Sequence, residues 1–282
     1  MLDHEFTPCF GAKMSPPDVR DYRLNKECVA TEFPESFELK MPPVKSQGQV
    51  GSCVAHSIAL VSEYYNREQL GIEEEISVGY IYGNRSLILG NQQGMITRFA
   101  IAKYCTDGAP YKSQFPDHYE VPDIIKKVEE KRPELEEFAE QFRFTSYVVL
   151  KTDNEIKTAL MNGNPVIVAV KWQKDMKYKD GKFYTEFPNQ KPSGHAMVLY
   201  GWTPEGWLIQ NSWGAKWGNK GTAIWPYEYK IREKFAIIDE DNTPLKIDKP
   251  HSSKSKTNFI CVKIFNFLNM IWYKINNAFS KM

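Results

Sequence analysis

The sequence predicts an α+β protein whose helices and strands are segregated into two lobes. Apolar residues recur at helical spacing in the first half of the chain, whereas apolar runs rich in β-branched and aromatic residues gather in the second half. Helices early and strands late point away from an alternating α/β sheet. With 282 residues, 42% hydrophobic and 25% charged, the chain is long and apolar enough for one large domain or two lobes with a substantial core.

The leader, residues 1–32, centres on Ser15-Pro-Pro-Asp-Val-Arg-Asp-Tyr22. It reads as extended chain lying on a surface, because proline and the residue before it disfavour helix. Val54, Ile58, Val61 and Tyr65 then predict a helix from about Ser52 to Leu70, stopped by Gly71, with Cys53 in its first turn. Shorter helices are expected over Met95–Lys103 and Ile156–Met161, and a charged, exposed helix over Asp123–Phe142, interrupted near Pro133. Strands are expected at 165–170, 196–200, 206–210 and 221–225. From His251 to Met282 the chain carries five lysines and no acidic residue, with Ile260, Ile264, Phe267, Leu268, Ile271, Ile275 and Phe279 on one helical face. Three readings stay open for it: an interfacial membrane helix, a partner-binding helix, or a tail docked on the protein's own surface. Lys263, Asn266 and Asn269 interrupt the apolar run and argue against a transmembrane span.

Thirty-six basic residues balance 35 acidic ones, so no global field draws the chain to nucleic acid. Five cysteines, with no C-x-x-C pair, suit neither a disulfide framework nor a zinc cluster, and fit a reducing, cytoplasmic setting. The start, Met-Leu-Asp-His-Glu-Phe, lacks the basic and apolar regions of a signal peptide. No metal or organic cofactor is implied, and oligomeric state is not legible.

The chemistry concentrates around Gln47-Gly-Gln-Val-Gly-Ser-Cys53. A cysteine at a helix N-terminus gains thiolate character from the helix dipole, and Gly48, Gly51 and Ser52 leave its approach uncluttered. By itself this fits a buried thiol, a metal ligand shared with His56, or a nucleophile. A nucleophile needs a base, a group that orients the base, and donors for an oxyanion. Among five histidines, only His195 stands at the mouth of an expected strand, in Ser-Gly-His-Ala-Met-Val-Leu-Tyr, and Asn211-Ser-Trp-Gly-Ala-Lys-Trp-Gly218 follows it.

Together, Gln47-Gly-x-x-Gly-Ser-Cys53, Gly-His195-Ala and Asn211-Ser-Trp213-Gly-x-x-Trp217-Gly resemble the papain-like (C1) cysteine peptidases, from about Phe33 to Ile238. The resemblance implies a papain-like two-lobed fold with a cleft between the lobes. The peptidase domain would span 33–245, with a helical lobe at about 45–150 and a β-rich lobe at about 151–240, followed by a basic extension at 246–282. It implies a Cys53–His195 thiolate–imidazolium pair, Asn211 orienting the imidazole beneath Trp213, and an oxyanion hole from the Gln47 side chain and the Cys53 N–H. Gly94 and Met95 would flank a peptide substrate. Ala169 and Ala196 would line an apolar pocket, with Gly194 and Trp213 close to the reacting bond. The implied partner is a protein or peptide substrate.

Three departures stand out: Val54 where many members have Trp, Val50 where secreted members have a disulfide cysteine, and Gly194 where many have Asp or Asn. The leader resembles the short ones of bacterial members, expected to pack on the enzyme body without needing removal. The same acyl-enzyme could serve an acyl transferase or deamidase, and the scaffold could be a catalytically silent binding protein. Against the last stand intact Gln47, Cys53, His195 and Asn211.

Overall fold

A computed structural model describes residues 9–19, 21–85, 93–117, 123–173, 176–179, 181–185, 192–239 and 247–248. The basic segment 251–282 lies outside the described residues, so none of its three readings is addressed. The first half contributes β1 (Ala12–Lys13), β2 (Arg23–Leu24), β3 (Phe37–Glu38), α1 (Cys53–Leu70), α2 (Val78–Gly83), β4 (Met95–Ile96), α3 (Thr97–Asp107) and α4 (Asp123–Ala139). After β5 (Ser146–Val149) and α5 (Asp153–Met161) come β6 (Val166–Trp172), β7 (Met176–Lys179), β8 (Lys182–Thr185), β9 (Ser193–Thr203), β10 (Gly206–Gln210), β11 (Thr222–Pro226), β12 (Ile231–Ile238) and β13 (Ile247–Asp248).

Seven strands form one antiparallel sheet in the order β11-β10-β9-β6-β12-β5, with β3 added to β9. Both faces of its centre are covered, which explains why β6 is a continuous apolar run rather than an alternating one. Ile167, Ala169, Ala196, Val198, Phe235 and Ile237 pack toward the helices of the first half. Their neighbours Val166, Val168, Val170, Trp172, Met197 and Leu199 face a second core built on α5 and the tryptophans at 202, 207, 213 and 225. Strand periodicity of two thus divides one sheet between two apolar clusters.

Helix α1 is buried continuously from Cys53 to Asn66, on every side and not merely along one stripe. It ends at Gly71, whose φ of 66° is the left-handed conformation that glycine adopts without penalty, and whose N–H bonds to Arg67 O. The α5 N-terminus carries a full capping box between Thr152 and Glu155.

Three expectations need correction. Helix α4 is not interrupted at Pro133; it runs to Ala139, because burial of Ile124, Ile125, Val128, Leu135 and Ala139 holds one face in place despite the missing N–H. It is therefore exposed on one side only. Residues Met95 and Ile96 form a strand before α3 instead of its first turn, pairing with Ala12 and Lys13. Strand β9 is longer than expected, starting at Ser193, and β12 went unread because its Arg-Glu-Lys content dilutes the apolar signal.

Candidate active site

Two loops that lie far apart in sequence are laced together beside the start of α1. Gln47 N–H donates to Ser212 O (2.8 Å), Gly214 N–H donates to Lys45 O (3.0 Å), and Ser46 bridges to Trp213. This lacing puts the Gln47 side chain, 2% exposed, next to the helix that begins at Cys53. The Ser212 hydroxyl donates to Gln47 Oε1 at 2.6 Å, which fixes the amide so that its Nε2 faces Val50 O (2.7 Å) and Cys9 O (3.3 Å). Ser52 caps α1 without a side-chain bond, so the first-turn N–H groups are not consumed by a cap.

His195, the candidate base, stands on β9 opposite Val170 of β6. His195 Nε2 lies 2.8 Å from Asn211 Oδ1, and because that oxygen can only accept, Nε2 carries the proton. The other ring nitrogen, Nδ1, is buried without a hydrogen-bond partner, so its lone pair is available to take a proton. Asn211 is held at the end of β10 by its own N–H to Gly221 O (3.0 Å), and its Oδ1 also accepts the Ser212 N–H (2.8 Å). Trp213 stacks on the imidazole at 4.4 Å between ring centroids, and Trp172 meets it edge-on at 5.5 Å. These indoles keep water from the His195–Asn211 bond.

Cys53 is fully buried, and burial pushes its thiol up to about 11 against backbone N–H groups of Ala196, Gly11 and Val54 that favour the thiolate. Burial likewise lowers His195 to about 4, although the Asn211 bond acts in the opposite direction. Burial thus disfavours charge on both groups, and Nδ1 makes no hydrogen bond to the sulfur.

Residues 9–12 of the leader cross the site. Gly11 N–H donates to Gly194 O (3.2 Å), Gly11 O accepts the Met95 N–H (2.8 Å), and the Phe10 ring meets His195 and Trp213 edge-on at 5.9 and 6.0 Å. The residues expected to flank a substrate, Gly94, Met95 and Gly194, therefore all touch this segment. Ala169 and Ala196 pair across β6 and β9, fully buried in the same cluster as Ala12.

His56 is turned away from Cys53 chemistry, its Nδ1 lying 3.1 Å from Ser52 O and 3.3 Å from Ser52 Oγ. Among the described residues no group of three His, Cys, Asp or Glu side chains gathers around a potential metal position. Sequence reasoning missed Ser212 and Trp172. The first lies inside the Asn211-Ser-Trp213 motif already singled out, and the second two residues beyond the expected end of its strand.

Residues 33–233 match the family model described as papain family cysteine protease. Among curated proteins, a viral cathepsin from a Cydia pomonella granulosis virus is 26% identical over 67% of this chain and 56% of its own length. Mouse cathepsin K is 26% identical over 79% of this chain and 63% of its own length. The chain thus spans little more than half the length of these relatives. Xylellain, a cysteine protease from Xylella fastidiosa, superimposes with a TM-score of 0.72 at 20% identity, covering 85% of this chain and 99% of that one. Procathepsin L 3 of Tenebrio molitor gives 0.55 at 20% identity, covering 78% and 76%. At these identities the structures show a shared fold.

Proposed function

This chain belongs to the papain family of cysteine proteases, and from that premise we propose that it hydrolyses peptide bonds through a Cys53 acyl-enzyme. The observation that carries the reading is the His195 ring on β9, its Nε2 tied to Asn211 Oδ1 at 2.8 Å and its Nδ1 buried without a hydrogen-bond partner. In the working form the Cys53 proton passes to His195 Nδ1. The thiolate then adds to a peptide carbonyl carbon, and the resulting oxyanion takes hydrogen bonds from Gln47 Nε2 and the Cys53 N–H. Collapse breaks the C–N bond as His195 protonates the leaving amine. Water, deprotonated by His195, then cleaves the thioester to a carboxylic acid and restores the thiol.

The Gln47 rotamer supports this assignment, because Ser212 holds the amide oxygen and the Nε2 donor already meets a leader carbonyl, Cys9 O, at 3.3 Å. Gly94, Met95, Gly194, Ala169, Ala196 and Trp213 are our candidates for substrate contact, since the protein's own leader already uses the first three as a polypeptide would. The substrate class is protein or peptide. The peptidase domain is placed at 33–245 with the leader at 1–32 and the basic extension at 246–282. A cytoplasmic setting is supported by free thiols at Cys9, Cys28, Cys53 and Cys105.

The test is reaction with an epoxide thiol inhibitor and mass mapping, beside hydrolysis of a fluorogenic peptide amide. Labelling at Cys53 that falls away in His195→Ala, with hydrolysis lost in Cys53→Ala, supports the reading. Equal labelling of Cys9 or Cys105, or hydrolysis that survives in Cys53→Ala, overturns it.

A further inference from the structure

A pocket opens between α2, β4 and α3, with an empty volume of about 420 Å³ including its mouth. Ile81, Ile96, Phe99 and Ala100 make its lining apolar, while Arg85 and Lys103 bring cations to it. Arg85, two residues past α2, is 4% exposed, and its guanidinium lies over the Tyr82 ring at 4.3 Å from the centroid. Its Nη1 donates to Tyr82 O at 2.7 Å, whereas Nε and Nη2 are buried without a hydrogen-bond partner. No carboxylate among the described residues pairs with this guanidinium. The nearby acid is already engaged: Asp107 Oδ2 accepts from Lys103 Nζ (2.7 Å), Arg132 Nη1 (3.0 Å) and Asn84 Nδ2 (2.9 Å). One carboxylate thus answers two cations, and the pocket is left with an excess of positive charge.

We infer that this pocket binds a carboxylate carried on a short apolar body, held by the Nε–Nη2 edge of Arg85. The two nitrogens without partners share one edge of the planar guanidinium, and their parallel N–H groups match the two oxygens of a carboxylate. A buried donor with no acceptor is costly and rare, and a buried cation with no anion more so. Burial accordingly pushes the Arg85 guanidinium down from its ordinary value, and a bound carboxylate offsets that desolvation. The apolar lining selects the rest of the ligand, because it gives nothing to the hydration shell of a bare inorganic anion. Both nitrogens lie beneath the surface, so the ligand seats by displacing a flexible wall. Met95, which also lines the pocket, supplies one, since an unbranched thioether chain repacks readily. Binding here needs no peptidase chemistry, so the inference stands independently of that reading.

The experiment titrates the full chain at pH 7 with benzoate, its neutral isostere benzamide and inorganic phosphate, reading saturable binding by ligand-observed NMR. The same titrations are run on Arg85→Gln and Arg85→Lys, with folding checked by circular dichroism. Benzoate is expected to saturate one site with a Kd of about millimolar or tighter, and benzamide and phosphate to bind about tenfold more weakly or worse. Arg85→Gln should weaken benzoate about tenfold or more, and Arg85→Lys severalfold, since a lysine keeps the charge but loses the two-pronged edge. If Arg85→Gln does not fold, Arg85→Lys and the comparison of benzoate with benzamide decide. Absence of saturable benzoate binding, equal binding of benzamide, or unchanged benzoate affinity in a folded variant overturns the site. Phosphate binding as tightly as benzoate overturns the apolar carboxylate as its ligand.

Discussion

The complete burial of Cys53 predicts an unusual pH profile for alkylation of the intact wild-type chain. A thiol moved from 9.0 to about 11 is ionised at pH 7 to about one part in ten thousand, a hundredfold below the unshifted group. Each thiolate is in turn about 6- to 10-fold more nucleophilic, since nucleophilicity rises with thiol pKa at a slope near 0.4–0.5. The net expectation at pH 7 is alkylation about 10- to 15-fold slower than for an unshifted cysteine, before any steric loss from complete burial. The assay is the iodoacetamide rate at Cys53 from pH 5 to 11, quantified on the Cys53 peptide. The rate should climb about tenfold per unit from pH 7 toward 10, with no plateau below. A plateau from pH 5 to 8 would show a thiolate–imidazolium pair already formed, and would refute a thiol raised by burial.

Two further measurements address other contacts. Asn211→Ala removes the acceptor from the forming imidazolium; a bond to a charged group contributes about 1.5–3 kcal/mol, so kcat/KM should fall about 10- to 150-fold. The alkaline limb of the pH profile should move to lower pH, because Asn211 supports the protonated ring. For stability, burial raises the Asp107 carboxyl but Lys103, Thr106 and Asn84 outweigh it and hold it down to about 2. A depressed carboxylate contributes stability that is complete above its unfolded value of 3.8 and is lost as pH falls through about 2. Asp107→Asn should therefore cost about 2 kcal/mol at pH 7 by urea unfolding, a difference that closes toward pH 2.

The helix that opens at Cys53, the strands that carry His195 and lead to Asn211, and the α+β order were legible because helix and strand periodicities are local. Val54, Ile58, Val61 and Tyr65 announce a buried face by spacing alone. The reaction class was legible only through the resemblance of the Cys53, His195 and Asn211 motifs to the papain-like peptidases, since residue types alone left a buried thiol, a metal ligand or a nucleophile open. Less was legible where packing overrides local preference. Pro133 sits inside α4 because an apolar face on either side of it is buried, and Arg232-Glu-Lys234 lies within a strand because its neighbours pair with β6.

By itself the sequence determined the order of elements and, through its family resemblance, the candidate site residues. Only the tertiary structure decided the lacing of 45–47 to 212–214, the Ser212 hydroxyl that orients Gln47, and the passage of the leader across the cleft. The physical reason is separation along the chain. Gly11 in isolation is one more loop glycine, and its need to lack a Cβ exists only once Gly51 O stands 1.9 Å from where that atom would be. Asp21 and Arg98 are 77 residues apart and carry no shared period; they become a pair only when β1 beside β4 brings the leader against α3.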